Sequence, residues 1–202
     1  MSKTVSVTYE QGSLIISGKE FLNGDIKDIH FDQRTLQYRA LGSSYRDIII
    51  ELKKQDINFI DHARSYKKFE ISLKQPITPH KHQEEALEAW FENQQQGVIS
   101  LPTGAGKTIL AILAIAKLKR STLIVVPTID LLNQWYEVLK TYLNIPVGRL
   151  GGGHKDYQDI MVTTYDSCRI MIEFHGQKFA FLVIDECHHL PAPQNTIIAN
   201  AS

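Results

Sequence analysis

The chain has 202 residues, 22 of them Lys or Arg against 22 Asp or Glu, and 43% hydrophobic; that length suits one or two domains with a sizeable core, and zero formal charge removes any global pull on nucleic acid while leaving room for a local basic face. The two cysteines, Cys168 and Cys187, lack metal-ligand spacing and point to a reducing compartment rather than a disulfide scaffold. No apolar run approaches the roughly 20 residues needed to cross a bilayer, and residues 1–10 lack the apolar core of a signal peptide, so the expectation is a soluble intracellular protein with no membrane partner.

The first 66 residues read as a small α+β unit. Val5-Ser6-Val7-Thr8-Tyr9, a turn at Gln11-Gly12 and Leu14-Ile15-Ile16 predict a hairpin. Ile29-His30-Phe31 and Gln37-Tyr38-Arg39-Ala40, on either side of Asp32-Gln33-Arg34-Thr35, predict a second. Ser43 or Ser44 can cap a helix over residues 45–54 with Ile48, Ile49 and Leu52 inward, and Asn58-Phe59-Ile60 is a closing strand. Residues 67–79, with mixed charge and Pro76 and Pro79, read as a linker.

From residue 80 onward helices and strands alternate. Residues 83–91 are helical, with Ala86, Leu87, Trp90 and Phe91 on one stripe. Val98-Ile99-Ser100-Leu101 is a short apolar strand, and residues 109–118 form a helix. A β-branched strand covers 122–126. Asp130 is placed to cap a helix to residue 142, with Leu131, Leu132, Trp135, Val138 and Leu139 inward. Gly151-Gly152-Gly153 breaks the chain. Strands at 160–164 and 181–184 flank a short helix ending near residues 170–174. Repeated βα units with apolar strands predict a parallel, doubly wound sheet.

Two motifs carry chemistry. Leu101-Pro102-Thr103-Gly104-Ala105-Gly106-Lys107-Thr108 joins a strand to a helix. Such a turn aims backbone N–H groups and a helix N-terminus at phosphate oxygens. Lys107 can reach the β and γ phosphates, and the Thr108 hydroxyl can sit on Mg²⁺. The usual first glycine of the pattern is replaced by Leu101. The second motif, Asp185-Glu186-Cys187-His188, follows the apolar strand Phe181-Leu182-Val183-Ile184. A carboxylate at that strand end can hold Mg²⁺, and Glu186 can orient or deprotonate the attacking water. Each motif alone competes with a bland reading, a glycine turn or a solvated strand end; the pair is far more specific.

These residues resemble motifs I and II of superfamily 2 helicases. Val125-Val126-Pro127-Thr128, with Leu131, Gln134 and Trp135, resembles motif Ia, and Thr163-Thr164-Tyr165-Asp166-Ser167 resembles the next DNA-contacting motif. Asp185-Glu186-Cys187-His188-His189-Leu190-Pro191 is most similar to the XPB family of DNA repair helicases. Phe31-Asp32, Tyr38-Arg39-Ala40 and Tyr45-Arg46-Asp47-Ile48-Ile49 resemble the small domain that precedes the motor in archaeal members, where it is implicated in recognising damaged DNA.

The resemblance implies an α/β fold: a RecA-like parallel-sheet domain over residues 80–202, incomplete at its C-terminus, preceded by a damage-recognition-like α+β domain over 1–66 and a linker over 67–79. It implies ATP and Mg²⁺ as cofactors. Lys107, Asp185, Glu186 and His188 would be catalytic, with His188 linking the phosphate site to the DNA motifs. Gln83, Thr103, Gly104, Ala105, Gly106, Lys107 and Thr108 would bind nucleotide, and Thr108 and Asp185 the metal. Pro127, Thr128, Thr163 and Thr164 would contact the DNA backbone. DNA is the implied partner, with a repair nuclease or other repair factors as further candidates, in the cytoplasm or nucleoid, or the nucleus of a eukaryote. Gln83 can read both edges of adenine; His80 and His82 stand where the family usually has Arg and an aromatic, and read equally as base-stacking or as exposed helix-start residues. A third motif and a second motor domain with its arginine finger are expected beyond Ser202, so the chain alone is expected to be inactive. The alternatives are a restriction- or recombination-type helicase of the same superfamily, or a nucleotide-binding adaptor without motor activity.

Overall fold

The computed structural model describes residues 4–18, 26, 28–66, 68–102, 104–192 and 195–200. Two five-stranded sheets organise the chain. In the first, β1 (Val5–Glu10) and β2 (Ser13–Ser17) form the expected hairpin, turning at Gln11 and Gly12, both at positive φ. β3 (His30–Asp32) and β4 (Gln37–Leu41) form the second hairpin, which joins β2. After a 3₁₀ turn at Gly42–Ser44, α1 (Tyr45–Lys54) buries Ile48 and Leu52. Ser44 occupies the cap position of α1 without a side-chain cap bond. β5 (Phe59–Asp61) then pairs parallel to β1, giving the order β3-β4-β2-β1-β5. Val5, Val7, Leu14, Ile16, Ile48 and Leu52 form its core, each at most 2% exposed.

The second sheet has the order β10-β6-β9-β7-β8. Its strands are β6 (Thr122–Val126), β7 (Val147–Gly151), β8 (His154–Asp156), β9 (Ile160–Thr164) and β10 (Phe181–Ile184). β10, β6, β9 and β7 run parallel; β7 and β8 make an antiparallel hairpin at the glycine run, where the sequence suggested only a break. Strand alternation divides the core in two. Ile124, Val126, Ile160 and Val162 face α3 (Lys107–Leu118) and α4 (Ile129–Tyr142). Leu123, Val125 and Met161 face α5 (Tyr165–His175) and the short α6 (Thr196–Asn200). Helices on both faces of a parallel sheet make the domain doubly wound, as expected.

Three expectations differ. Residues 98–101 are not a strand, and Val98 is 79% exposed. Apolar character alone does not make a parallel strand; it needs a hydrogen-bonded neighbour, and none among the described residues pairs with this segment. Residues 68–79 are more than a tether: Ile71 is 2% exposed within the core under α3 and α4, and Lys68 and Leu73 bridge to Arg120 and Leu143. Finally, α4 is capped by Thr128, whose Oγ1 accepts from the Leu131 N–H at 3.2 Å, and Asp130 lies inside the first turn.

Candidate nucleotide and nucleic-acid site

α2 (Lys81–Glu92) holds Gln83 against the glycine loop. Gln83 is 3% exposed. Its Nε2 donates to the carbonyls of Ala105 (3.1 Å) and Gly106 (3.2 Å), and its Oε1 accepts from the His80 N–H at 2.9 Å. The amide expected to read adenine is thus engaged with the loop, which it braces. His80 and His82 stack with centroids 5.5 Å apart, and His82 Nε2 lies 3.1 Å from the Ala105 carbonyl. Both histidines are exposed, and His82 is the one that lies against the loop.

The loop ends at Gly106, in the left-handed region at φ +80°. A Cβ there would lie 2.3 Å from Gln83 Nε2, so both backbone angle and packing require glycine. Lys107 begins α3, and its ammonium donates to the Leu101 carbonyl at 3.1 Å across the loop. Thr108 follows in the first turn. Ala105 N–H donates to the Pro102 carbonyl. Thr103 lies outside the described residues.

Asp185 sits one residue past β10, its N–H donating to the Val125 carbonyl at 2.9 Å. One carboxylate oxygen accepts from the Glu186 N–H at 3.1 Å. The other accepts from the indole N–H of Trp135, on α4, at 2.8 Å. Two of about four lone-pair positions are used, leaving room for a cation or its water. Glu186 is exposed and left-handed, at φ +51°, a conformation costing on the order of 1–3 kcal/mol for a residue with a side chain. His188 Nδ1 lies 3.4 Å from a Glu186 carboxylate oxygen, with both side chains exposed.

Tyr165, the first residue of α5, points its hydroxyl at the carbonyls of Asp185 (3.3 Å) and Glu186 (3.4 Å). Burial, then the neighbouring Cys187 and Asp185, pushes its phenol up to about 12, so it remains a donor. The roles of Trp135 and Tyr165 are not evident in the sequence, whose pattern places Trp135 in the helix core. A buried indole N–H must find a partner, and that is the available signal.

The segments expected to touch DNA divide. Thr128 is exposed and its hydroxyl hydrogen is left free by the cap bond it accepts. Pro127, beside it, is half-buried. Thr164 caps α5, accepting from Ser167 N–H and donating to the Ser167 hydroxyl. Thr163 does not reach the surface. It is 0% exposed, and its hydroxyl donates to the Thr164 carbonyl at 3.3 Å, because helices cover both faces of β9.

A phosphate-type loop leading into α3, with an acidic pair at the end of a parallel strand, defines a RecA-like domain. The fold is similar to that of the UvsW helicase of bacteriophage T4, which aligns over 100% of this chain and 88% of its own, with TM-score 0.54 at 17% identity. Residues 76–202 match the family model of the type III restriction enzyme res subunit, and residues 7–63 that of the xeroderma pigmentosum group B helicase damage recognition domain. The chain belongs to the XPB family of helicases. It is 40% identical over 162 residues to the DNA 3'-5' translocase XPB2 of Sulfurisphaera tokodaii, covering 80% of this chain and 36% of that protein. It is 30% identical over 143 residues to the general transcription and DNA repair factor IIH helicase/translocase subunit XPB of Encephalitozoon cuniculi, covering 61% and 21%. The DNA 3'-5' helicase XPB of Mycobacterium tuberculosis is 32% identical over 108 residues, 48% of this chain and 20% of that one. The chain thus spans about a third or less of the length of these curated relatives.

Proposed function

We propose that the chain supplies the first ATP-binding domain and the small recognition domain of an ATP-dependent DNA helicase or translocase acting in DNA repair. The observation that carries this is the placement of Asp185. Trp135 and the Glu186 N–H hold its carboxylate just past the end of β10, and the loop braced by Gln83 leads into α3 with Lys107 and Thr108 in its first turn.

ATP with Mg²⁺ would supply the phosphoanhydride whose cleavage drives movement. Lys107 exchanges its bond to the Leu101 carbonyl for phosphate oxygens. Thr108 and Asp185 would hold the metal, Asp185 through water, since Mg²⁺ usually keeps water and substrate oxygens among its ligands. Glu186, exposed beside Asp185, orients the attacking water. Thr128 and the N-termini of α4 and α5 offer hydroxyl and N–H donors to phosphates, which fix position without reading sequence. These helices also carry Trp135 and Tyr165 onto the acidic motif, so a shift at either phosphate contact is felt at Asp185 and Glu186.

The test is binding of a fluorescent ADP analogue with Mg²⁺. Wild-type chain binds and Lys107→Ala loses binding at least tenfold, while thermal unfolding stays unchanged. Absence of binding by wild type, or equal binding by both, refutes the proposal.

A further inference from the structure

The α+β domain meets the RecA-like domain through few polar contacts. Tyr9 donates its hydroxyl to the Ile172 carbonyl (2.9 Å), Gly12 N–H to the Glu173 carbonyl (3.0 Å), and Arg46 to the Gln94 carbonyl (2.7 Å). Beside them lies a cleft of about 560 Å³ walled by both domains. Four cations line it: Arg46, Lys53 and Arg64 from the small domain and Arg120 from the other. No Asp or Glu is among its lining residues. In a chain with 22 basic and 22 acidic residues, that separation of sign is a local field the composition does not disclose. Among the described residues, Lys53, Arg64 and Arg120 form no ion pair with a carboxylate. The Nε of Arg120 is buried with no hydrogen-bond partner. A buried donor left so wants an acceptor from outside. The nearby carboxylate of Asp61 is occupied by the Tyr45 hydroxyl and by the N–H groups of Ala63 and Arg64.

The same wall carries Tyr45 and Tyr66. The Tyr45 hydroxyl is tied to Asp61, and the Arg64 guanidinium lies 4.4 Å over the Tyr66 ring. A cationic groove with fixed aromatic side chains is the pairing that holds single strands: charge follows the backbone, and rings take the bases.

We propose that this interdomain cleft is a binding site for a single-stranded nucleic-acid segment, its phosphates on Lys53, Arg64 and Arg120 and its bases against Tyr66 and Tyr45. The site is separate from the threonine-capped helix ends of the RecA-like domain. It rests on the reading of the chain as a DNA-acting protein for the identity of its polyanion.

The test is fluorescence anisotropy of a labelled oligo-dT and of a duplex of equal length with the 202-residue chain. Lys53→Glu/Arg64→Glu changes two exposed cleft cations. Lys140→Glu/Lys155→Glu makes the same charge change elsewhere. The cleft pair is expected to weaken oligo-dT at least tenfold and to lower the salt slope by roughly 1.4, at about 0.7 for each phosphate no longer neutralised on a single strand; the control pair stays within twofold. Tyr66→Ser weakens oligo-dT at least threefold and leaves the duplex unchanged. Equal losses in the two charge pairs overturn the inference, as does an effect of Tyr66→Ser on both substrates alike. Displacement of oligo-dT by inorganic tripolyphosphate at equal phosphate concentration also overturns it, because it identifies a site for any polyanion. If only the cleft changes are silent, the DNA-acting reading survives without this site; if wild type binds neither substrate, both fall.

Discussion

Gly106→Ala tests whether the phosphate loop is held from outside by Gln83. The new Cβ would stand 2.3 Å from Gln83 Nε2, closer than any real contact allows. The residue must also stay at φ +80°, which costs an L-amino acid about 1–2 kcal/mol. Gln83 can yield only by giving up its bonds to the Ala105 and Gly106 carbonyls, and it is 3% exposed. Two hydrogen bonds at about 0.5–1.5 kcal/mol each bring the total to about 2–5 kcal/mol. Gly104 is the control: it has the same φ of +80° but nothing within 4 Å of its Cβ, so Gly104→Ala costs only the backbone share. Urea unfolding followed by tryptophan emission reports on this domain, because both tryptophans, Trp90 and Trp135, lie in it. Repeating Gly106→Ala in a Gln83→Ala background closes a double-mutant cycle. The cost there should fall to about that of Gly104→Ala. An undiminished cost in that background, or equal costs for the two glycines in the wild type, refutes the bracing role.

Three other outcomes are expected. Trp135→Phe removes the indole donor to Asp185 at 2.8 Å, a bond to a carboxylate worth about 1.5–3 kcal/mol; the Mg²⁺ concentration at half-maximal ADP binding should rise several-fold, and an unchanged midpoint would show that Trp135 only packs. Cys168, whose thiol burial pushes up to about 12, should resist a thiol reagent at pH 8 that labels the less buried Cys187, and react only after unfolding; equal native rates contradict its placement. His175 has its pKa held below the ordinary value by burial and then by Lys178, so it is neutral in the fold at pH values where the unfolded chain is already protonated. Stability is therefore undiminished by this group above about 6.5, the unfolded value, and falls as pH drops through that value toward the folded one. His175→Gln should flatten that part of a urea-midpoint profile between pH 7.5 and 5; an unaltered slope would exclude His175 as its source.

Much of this molecule is legible before folding, where the signal is local. The alternation in Val5-Ser6-Val7-Thr8-Tyr9, the β-branched run before Pro127, and Gly106-Lys107-Thr108 followed by an apolar helix each encode their own geometry, and each is found as read. What depends on neighbours is not legible. Residues 98–101 have strand composition yet no strand beside them among the described residues, so they stay irregular. Ile71 sits in linker-like sequence but is buried by contacts with elements far along the chain. Thr163 and Thr164 are adjacent identical residues. Both are buried in the doubly covered sheet, and only the second, at the start of α5, becomes a cap. The Trp135–Asp185 bond joins residues 50 apart, and the cleft gathers cations from two domains of a chain whose charges cancel in the composition. Backbone preference and hydrophobic period act over a few residues and are written in the order of the chain. Pairing of edges, satisfaction of buried donors and separation of charge are set by which distant segments meet, and those meetings exist only once the chain has packed.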